Sequence, residues 1–315
     1  MPTMKPMLFL ILLYAGASNG QHTFSDSIIT QSSLVQSLLF LSQDSLKGRL
    51  TGSVGADEAA KFIAAKFDSI GLAAVSGNFG YFDHFTADYD GKKIPARNVM
   101  AMLPGKNNND SLVIFSAHYD HIGQKDDMPY NKEYNYKDEI YNGANDNATG
   151  VAALLELARY YKAKTNNRYS IMFVAFSGEE MGMLGSTNLM SKMNPKIIKA
   201  VINLEMLGRP VGGKCFIASY RNRPIRNLLN EYLQKNYPGV DDKFFITDPY
   251  PDENLSSRSD HYPFARKIKN AFTIMGSSPA DEYYHSVDDE YETIDFDFLW
   301  KATKNIALAC EQFTR

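Results

Sequence analysis

The feature that most limits what this chain can fold into is a series of nearly unbroken apolar runs. They are NVMAML at 98–103, SLVIFSAH at 111–118, YSIMFVAF at 169–176, KAVINLEML at 199–207 and NAFTIM at 270–275. A strand with one wet face alternates apolar and polar residues, and these runs do not, so each is expected to be a strand covered on both faces. Between them lie helical stripes. Ala59, Phe62, Ile63 and Phe67 share one face of a segment that stops at Gly71, and Val151, Leu154, Leu155 and Ala158 share another after NDNATG. A further helix is expected around RPIRNLLNEYLQK and a closing one that ends near Phe313. Strands alternating with helices give the fold class α/β, with a mixed, mostly parallel twisted sheet covered by helices on both faces. NVMAML and SLVIFSAH, separated by the turn-rich GKNNND, are expected to be neighbouring strands.

The N-terminus reads differently. MPTMKP, the apolar MLFLILLYAGA and the small polar SNGQ have the pattern of a secretory signal peptide over residues 1–20. Residues 21–315 are then expected to be a single domain, exported to a periplasm or the extracellular space. No later segment is apolar enough to be an integral membrane segment. A formal net charge of −3 gives no global field to recruit nucleic acid, so a partner has to be argued from a local site. The two cysteines, Cys215 and Cys310, offer neither a disulfide framework nor a thiolate metal site. Cys310 shares a helical face with Leu299, Ala302 and Ile306 and reads as a small buried hydrophobe; a bridge to Cys215 stays open. Oligomeric state is unspecified.

Polar residues collect where the apolar runs end. SLVIFSAH leads into His118 and Asp120, YSIMFVAF into Glu179 and Glu180, and KAVINL into Glu205. Asp146 precedes a helix, and His285 lies in a late loop. An α/β sheet brings the carboxyl ends of its strands to one rim, where ligands bind. Imidazoles and carboxylates without thiolates suit zinc. Each residue also has an ordinary reading. Asp146 could cap its helix, Glu179 and Glu180 could favour the positive end of a following helix, and Glu205 could pair with Arg209.

AHYDH, IYNGANDNATG, FVAFSGEEMGMLGS, INLEMLG and YYHSVDDEYETID, in that order, resemble the successive motifs of the M28 zinc aminopeptidases. The resemblance runs from about Gly48 to the C-terminal helix. It implies a zinc-exopeptidase-like fold acting on peptide substrates, with two Zn2+ ions per chain. His118, Asp146, Glu180, Glu205 and His285 would be the ligands, Asp146 bridging the ions, and Glu179 the general base. Asp120 would hold the His118 ring by accepting its free N–H. Asp260 and His261, in RSDHYPF, match a motif near the site. At the fourth ligand position the family usually has Asp, where this chain has Glu205. The loop tyrosines Tyr130, Tyr134 and Tyr136 are candidates to line a substrate pocket. Glu133, Asp281 and Glu282 are candidates for binding a substrate amino group. Other readings stand beside the aminopeptidase: a carboxypeptidase or dipeptidase, a glutaminyl-peptide cyclotransferase of the same architecture, and a peptide-binding module without catalysis. Retention of His118 with the Glu179–Glu180 pair favours the hydrolase.

Overall fold

The computed structural model describes residues 24–106, 111–125, 127, 138–220 and 224–315. The expected signal segment, Tyr130, Tyr134, Tyr136 and Glu133 lie outside the described residues. No described helix is long and apolar enough to cross a membrane.

The strands are β1 (Ala73–Ala74), β2 (Phe82–Tyr89), β3 (Lys92–Leu103), β4 (Leu112–His118), β5 (Ser170–Phe176), β6 (Ile198–Glu205), β7 (Cys215–Ala218), β8 (Phe245–Thr247) and β9 (Ala271–Met275). They form one sheet in the order β1-β3-β5-β4-β6-β9-β7-β8, with β2 paired to β3. The centre, β5-β4-β6-β9, is parallel. Antiparallel strands flank it: β3 on β5 and β7 on β9. The sheet is therefore mixed, with the parallel strands at its heart.

Helices α1 (Phe24–Ile28), α2 (Gln31–Leu41), α3 (Val54–Ile70), α4 (Thr149–Lys164), α5 (Leu184–Lys192), α6 (Ile225–Asn236), α7 (Tyr262–Ala265), α8 (Phe296–Ala309) and α9 (Glu311–Thr314) cover it. Every residue of β4 is buried, and its side chains divide by parity. Val113, Phe115 and Ala117 join one core with α2, α3, α4, α6 and α8; Leu112 and Ile114 join a second with α5 and α7. That two-sided burial is why the runs show no alternation.

The expected pairing of the first two runs is corrected by the topology: β5 lies between β3 and β4. β4 leads through α4 into β5, which lies parallel beside β4. Strand β3 is left the outer edge of β5. The closing helix is broken at Cys310, with α9 ending at Thr314. Cys215 and Cys310 are both buried free thiols.

One acidic group outside the strand ends gives the fold a pH dependence. Asn142 Nδ2 donates to Asp44 Oδ1 at 2.7 Å and to Glu290 Oε1 at 2.8 Å. Burial pushes the Glu290 carboxyl up to about 7, Asn142 opposing, with Asp44, Asp138 and Glu292 adding to the rise. A carboxyl raised on folding contributes stability below its ordinary value of 4.5, and that contribution is lost as pH rises through about 7. Glu290→Gln is thus expected to melt at a higher temperature than the parent at about pH 8, the two curves converging near about pH 4.5. Equal melting temperatures at the higher pH would show that Glu290 ionises without cost.

Candidate metal centre

The carboxyl ends of the parallel strands bring the polar residues together. His118 ends β4 and Glu205 ends β6; Glu179 and Glu180 lie in the turn after β5, and His285 in the loop after β9. Asp146 sits just before α4, with its two carboxylate oxygens facing different groups. Oδ1 is 3.3 Å from His118 Nε2, which lies 2.9 Å from Glu205 Oε1. Oδ2 is 3.4 Å from His285 Nε2, which lies 3.1 Å from Glu180 Oε2. Two sets of ligand-type atoms each converge within 4.8 Å: His118, Asp146 and Glu205 in one, and His121, Asp146, Glu180 and His285 in the other. A third set joins His118 to Glu179 and Glu180.

The segment around Asp146 is fastened on both sides. Asn147 Oδ1 accepts from the Gly150 and Met206 N–H groups, each at 3.1 Å, and its Nδ2 donates to the Leu204 carbonyl at 2.9 Å. The capping role therefore falls to Asn147, and the Asp146 carboxylate is free for the cluster. Gly150 has to be glycine, because a Cβ there would lie 2.3 Å from Asn147 Oδ1. The backbone N–H of Asp146 donates to Asp289 Oδ2 at 3.1 Å, and Asp289 is itself paired with Arg209 at 2.8 Å. Arg209 is thus committed to Asp289 and Asp281, and does not pair with Glu205. Glu205 Oε2 instead accepts from Ser259 at 2.6 Å, which fixes the longer carboxylate against His118. Tyr284 stacks on the His285 ring at 3.9 Å between centroids.

Several expectations change in detail. His118 Nδ1 faces the backbone carbonyl of Asp120 at 3.1 Å, while the Asp120 carboxylate is 3.8 Å away. That carboxylate accepts from Thr51 at 2.9 Å and from the Glu179 N–H at 3.2 Å, so it braces the turn carrying Glu179 more directly than the imidazole. His261 is buried but turned to other work. Its Nε2 faces the Ser256 carbonyl at 3.1 Å and its Nδ1 the Thr273 hydroxyl at 2.6 Å. Burial lowers its pKa to about 4, so it stays neutral. Asp260 is buried near the cluster, its carboxyl held up to about 7 by burial, with His118 opposing and Asp120 and Glu205 reinforcing. Asp281 is clamped by Arg209 and, with Glu282, lines a different cavity.

Sequence reading missed two residues. His121, fully buried, points Nδ1 at Glu180 Oε1 at 2.9 Å. Arg49, also fully buried, donates to the carbonyls of Tyr119 at 2.8 Å, Gly143 at 3.0 Å and Asn142 at 2.5 Å, and to that of Leu41. His121 thus belongs to the cluster, and Arg49 fastens the backbone around it. Burial lowers the Arg49 pKa to about 10, against the fields of Asp289, Asp146, Asp120 and Glu180.

Burial alone would lower the His118 pKa, but Glu205, Asp146 and Glu179 outweigh it and hold the ring well above the usual range. Burial would likewise raise Asp146, but His118, His285 and His121 hold it well below the carboxylate range. Glu179 is pushed well above by burial, His118 opposing and Glu180, Asp260 and Glu205 adding. A buried group of carboxylates demands compensating positive charge. The hydrogen bonds of Arg49 go to backbone carbonyls, so the imidazole and carboxylate donor set fits a divalent cation such as zinc. Over the cluster opens a cavity of about 450 Å³ with apolar walls from Met183, Met206, Leu255, Met275, Pro279 and Tyr284.

Residues 98–310 match the model of Peptidase family M28. The alkaline phosphatase isozyme conversion protein of Escherichia coli (strain K12) is 31% identical over 216 residues, covering 61% of this chain and 61% of that protein. The aminopeptidase YwaD of Bacillus subtilis (strain 168) is 27% identical over 219 residues, covering 66% of this chain and 42% of that protein. The chain thus spans only part of the length of these relatives. Among solved structures, BSAP, a zinc aminopeptidase from Bacillus subtilis, superposes with a TM-score of 0.71 at 16% identity, covering 90% of this chain and 95% of that one. A glutaminyl cyclase from Porphyromonas gingivalis superposes with a TM-score of 0.70 at 18% identity, covering 90% and 99%. At these identities the structural likeness speaks for the fold.

Proposed function

The chain belongs to peptidase family M28, and on that premise we propose that it is an exported di-zinc aminopeptidase that removes N-terminal residues from peptides. The observation that carries the proposal is the divided Asp146 carboxylate. One oxygen serves the His118 and Glu205 set, the other the His285 and Glu180 set. His118, Asp146, Glu180, Glu205 and His285 would hold the two ions. Zinc, when bound, supplies Lewis acidity that polarises a carbonyl and eases deprotonation of water.

The remaining work belongs to the chain. Glu179, braced by Asp120 and lying beside His118, takes the proton of the attacking water and delivers it to the departing amine. Its neighbour Glu180 is occupied with His121 and His285, so adjacent carboxylates divide proton transfer from ligation. The methionine-lined walls of the cavity suit an apolar N-terminal side chain, since unbranched thioethers adapt to varied shapes.

The fold shared with a glutaminyl cyclase motivates a second reading, intramolecular amide formation from an N-terminal glutamine. One experiment separates them. Purified protein is given peptides beginning with Leu, Met or Gln, before and after chelation and zinc restoration. Chelation is expected to abolish release of free Leu and Met, and zinc to restore it. Cyclisation of the Gln peptide without release of any amino acid would replace the peptidase reading with the cyclase, and inertness towards every peptide at full zinc loading would leave a binding role.

A further inference from the structure

We propose that His121 Nδ1 is a fourth protein ligand of the metal position formed by Asp146, Glu180 and His285, which makes the two positions of the centre unequal. The inference rests on the zinc reading above. With His121, that position has two imidazoles and two carboxylates; the other, with His118, Glu205 and Asp146, has three protein ligands and keeps a place for water or substrate.

The geometry is specific. His121 Nδ1 lies 2.9 Å from Glu180 Oε1 and 4.0 Å from Asp146 Oδ2, so it faces the same two carboxylates as His285 Nε2. The two rings meet edge to face, 5.5 Å apart at 78°, as donors converging on one point do. His121 is 0% exposed, and among the described residues its Nε2 has no hydrogen-bond partner, so the ring's polar commitment is at Nδ1. The ring is also held in place. Gly143 has φ of +57°, and a Cβ there would lie 2.5 Å from His121 Cδ2, so only glycine lets the imidazole sit where it does. The His121 N–H reaches the Arg49 carbonyl at 3.4 Å, which ties the ring's backbone to the buried arginine. Four protein ligands complete a tetrahedral zinc shell, the arrangement of a tightly held ion, whereas three with an open place suit catalysis.

The competing role is a hydrogen bond from His121 to Glu180 that merely orients the carboxylate. Asparagine separates the two: its amide N–H lies close to where Nδ1 sits and still donates, but it is a poor zinc ligand. The probe is Co2+ loaded into metal-free protein, with release followed during chelation and visible absorption recorded per bound ion. The parent is expected to bind about two ions and release them in a fast and a slow phase. His121→Asn is expected to weaken the slow site by more than the roughly 10–100-fold that loss of an outer partner costs, and to change its absorption, while the fast site keeps its ion. That retained ion, with an unchanged near-UV circular dichroism spectrum, shows the variant to be folded. An Asn variant that keeps the parent's slow phase and spectrum, with His121→Ala losing both, assigns His121 to orientation and overturns the proposal. A parent that takes up no metal sinks the zinc reading itself, a result distinct from either.

Discussion

Replacing Glu179 by glutamine is expected to leave bound zinc unchanged and to slow peptide hydrolysis by about 10²–10⁴-fold, the range over which a positioned acid–base group acts. The substitution is nearly isosteric, and the turn keeps its brace because the N–H that donates to Asp120 belongs to the backbone. The proposed ligands nearby are untouched, since Glu180 is engaged with His121 and His285 and Glu205 with His118 and Ser259. What is lost is the capacity to accept a proton. The loss should fall on kcat with little change in KM, because an interaction made only in the transition state has been removed. Metal content by elemental mass spectrometry and steady-state hydrolysis of a Leu-initiated peptide are the two measurements. Hydrolysis near the parental rate at full zinc would assign the base elsewhere, with Asp260, buried close by, the next carboxyl to replace.

Much of this centre was legible because its residues stand where apolar runs stop. His118 and Glu205 end β4 and β6, Glu179 and Glu180 follow β5, and the carboxyl ends of parallel strands lie at one rim. His121 was hidden by the rule that revealed its neighbours. Period-two reading puts His118 and Asp120 on one side and His121 on the other, but β4 ends at His118 and that alternation ends with it. By His121 the chain has turned to bridge with Leu50, which brings the ring under Glu180. Arg49 was hidden differently. It lies in a glycine-punctuated loop with φ of +49°, and fully buried arginines are rare enough that a loop position argues for exposure. Its burial becomes intelligible only once four carbonyls are seen to converge on its guanidinium. The place of β5 between β3 and β4 follows from pairing on both its edges, antiparallel to β3 and parallel to β4, which spacing along the chain does not encode.

Removing the Asp146 carboxylate is the sharper test of the divided centre. Asp146→Ala is expected to strip both metal positions, whereas His118→Ala should strip only the one it helps to form. The difference follows from sharing. Asp146 Oδ1 lies 3.3 Å from His118 Nε2 and Oδ2 3.4 Å from His285 Nε2, so one truncation takes a ligand from each side. It would also remove the negative charge between the two proposed dications. A pair of unit charges about 4 Å apart interacts by about 4 kcal/mol at an effective dielectric constant of about 20, and two dications repel about fourfold more, so unscreened double occupancy is strongly disfavoured. The scaffold should survive, because the bonds fastening this segment come from the Asp146 backbone N–H and from the side chains of Asn145 and Asn147. At a buffered free zinc level that saturates the parent, His118→Ala should keep about one ion per chain and Asp146→Ala well under one, with hydrolysis falling below that of Glu179→Gln. An Asp146→Ala protein that keeps about one ion, as His118→Ala does, would mean that the carboxylate serves only one of the two positions, and the divided role of Asp146 would fall.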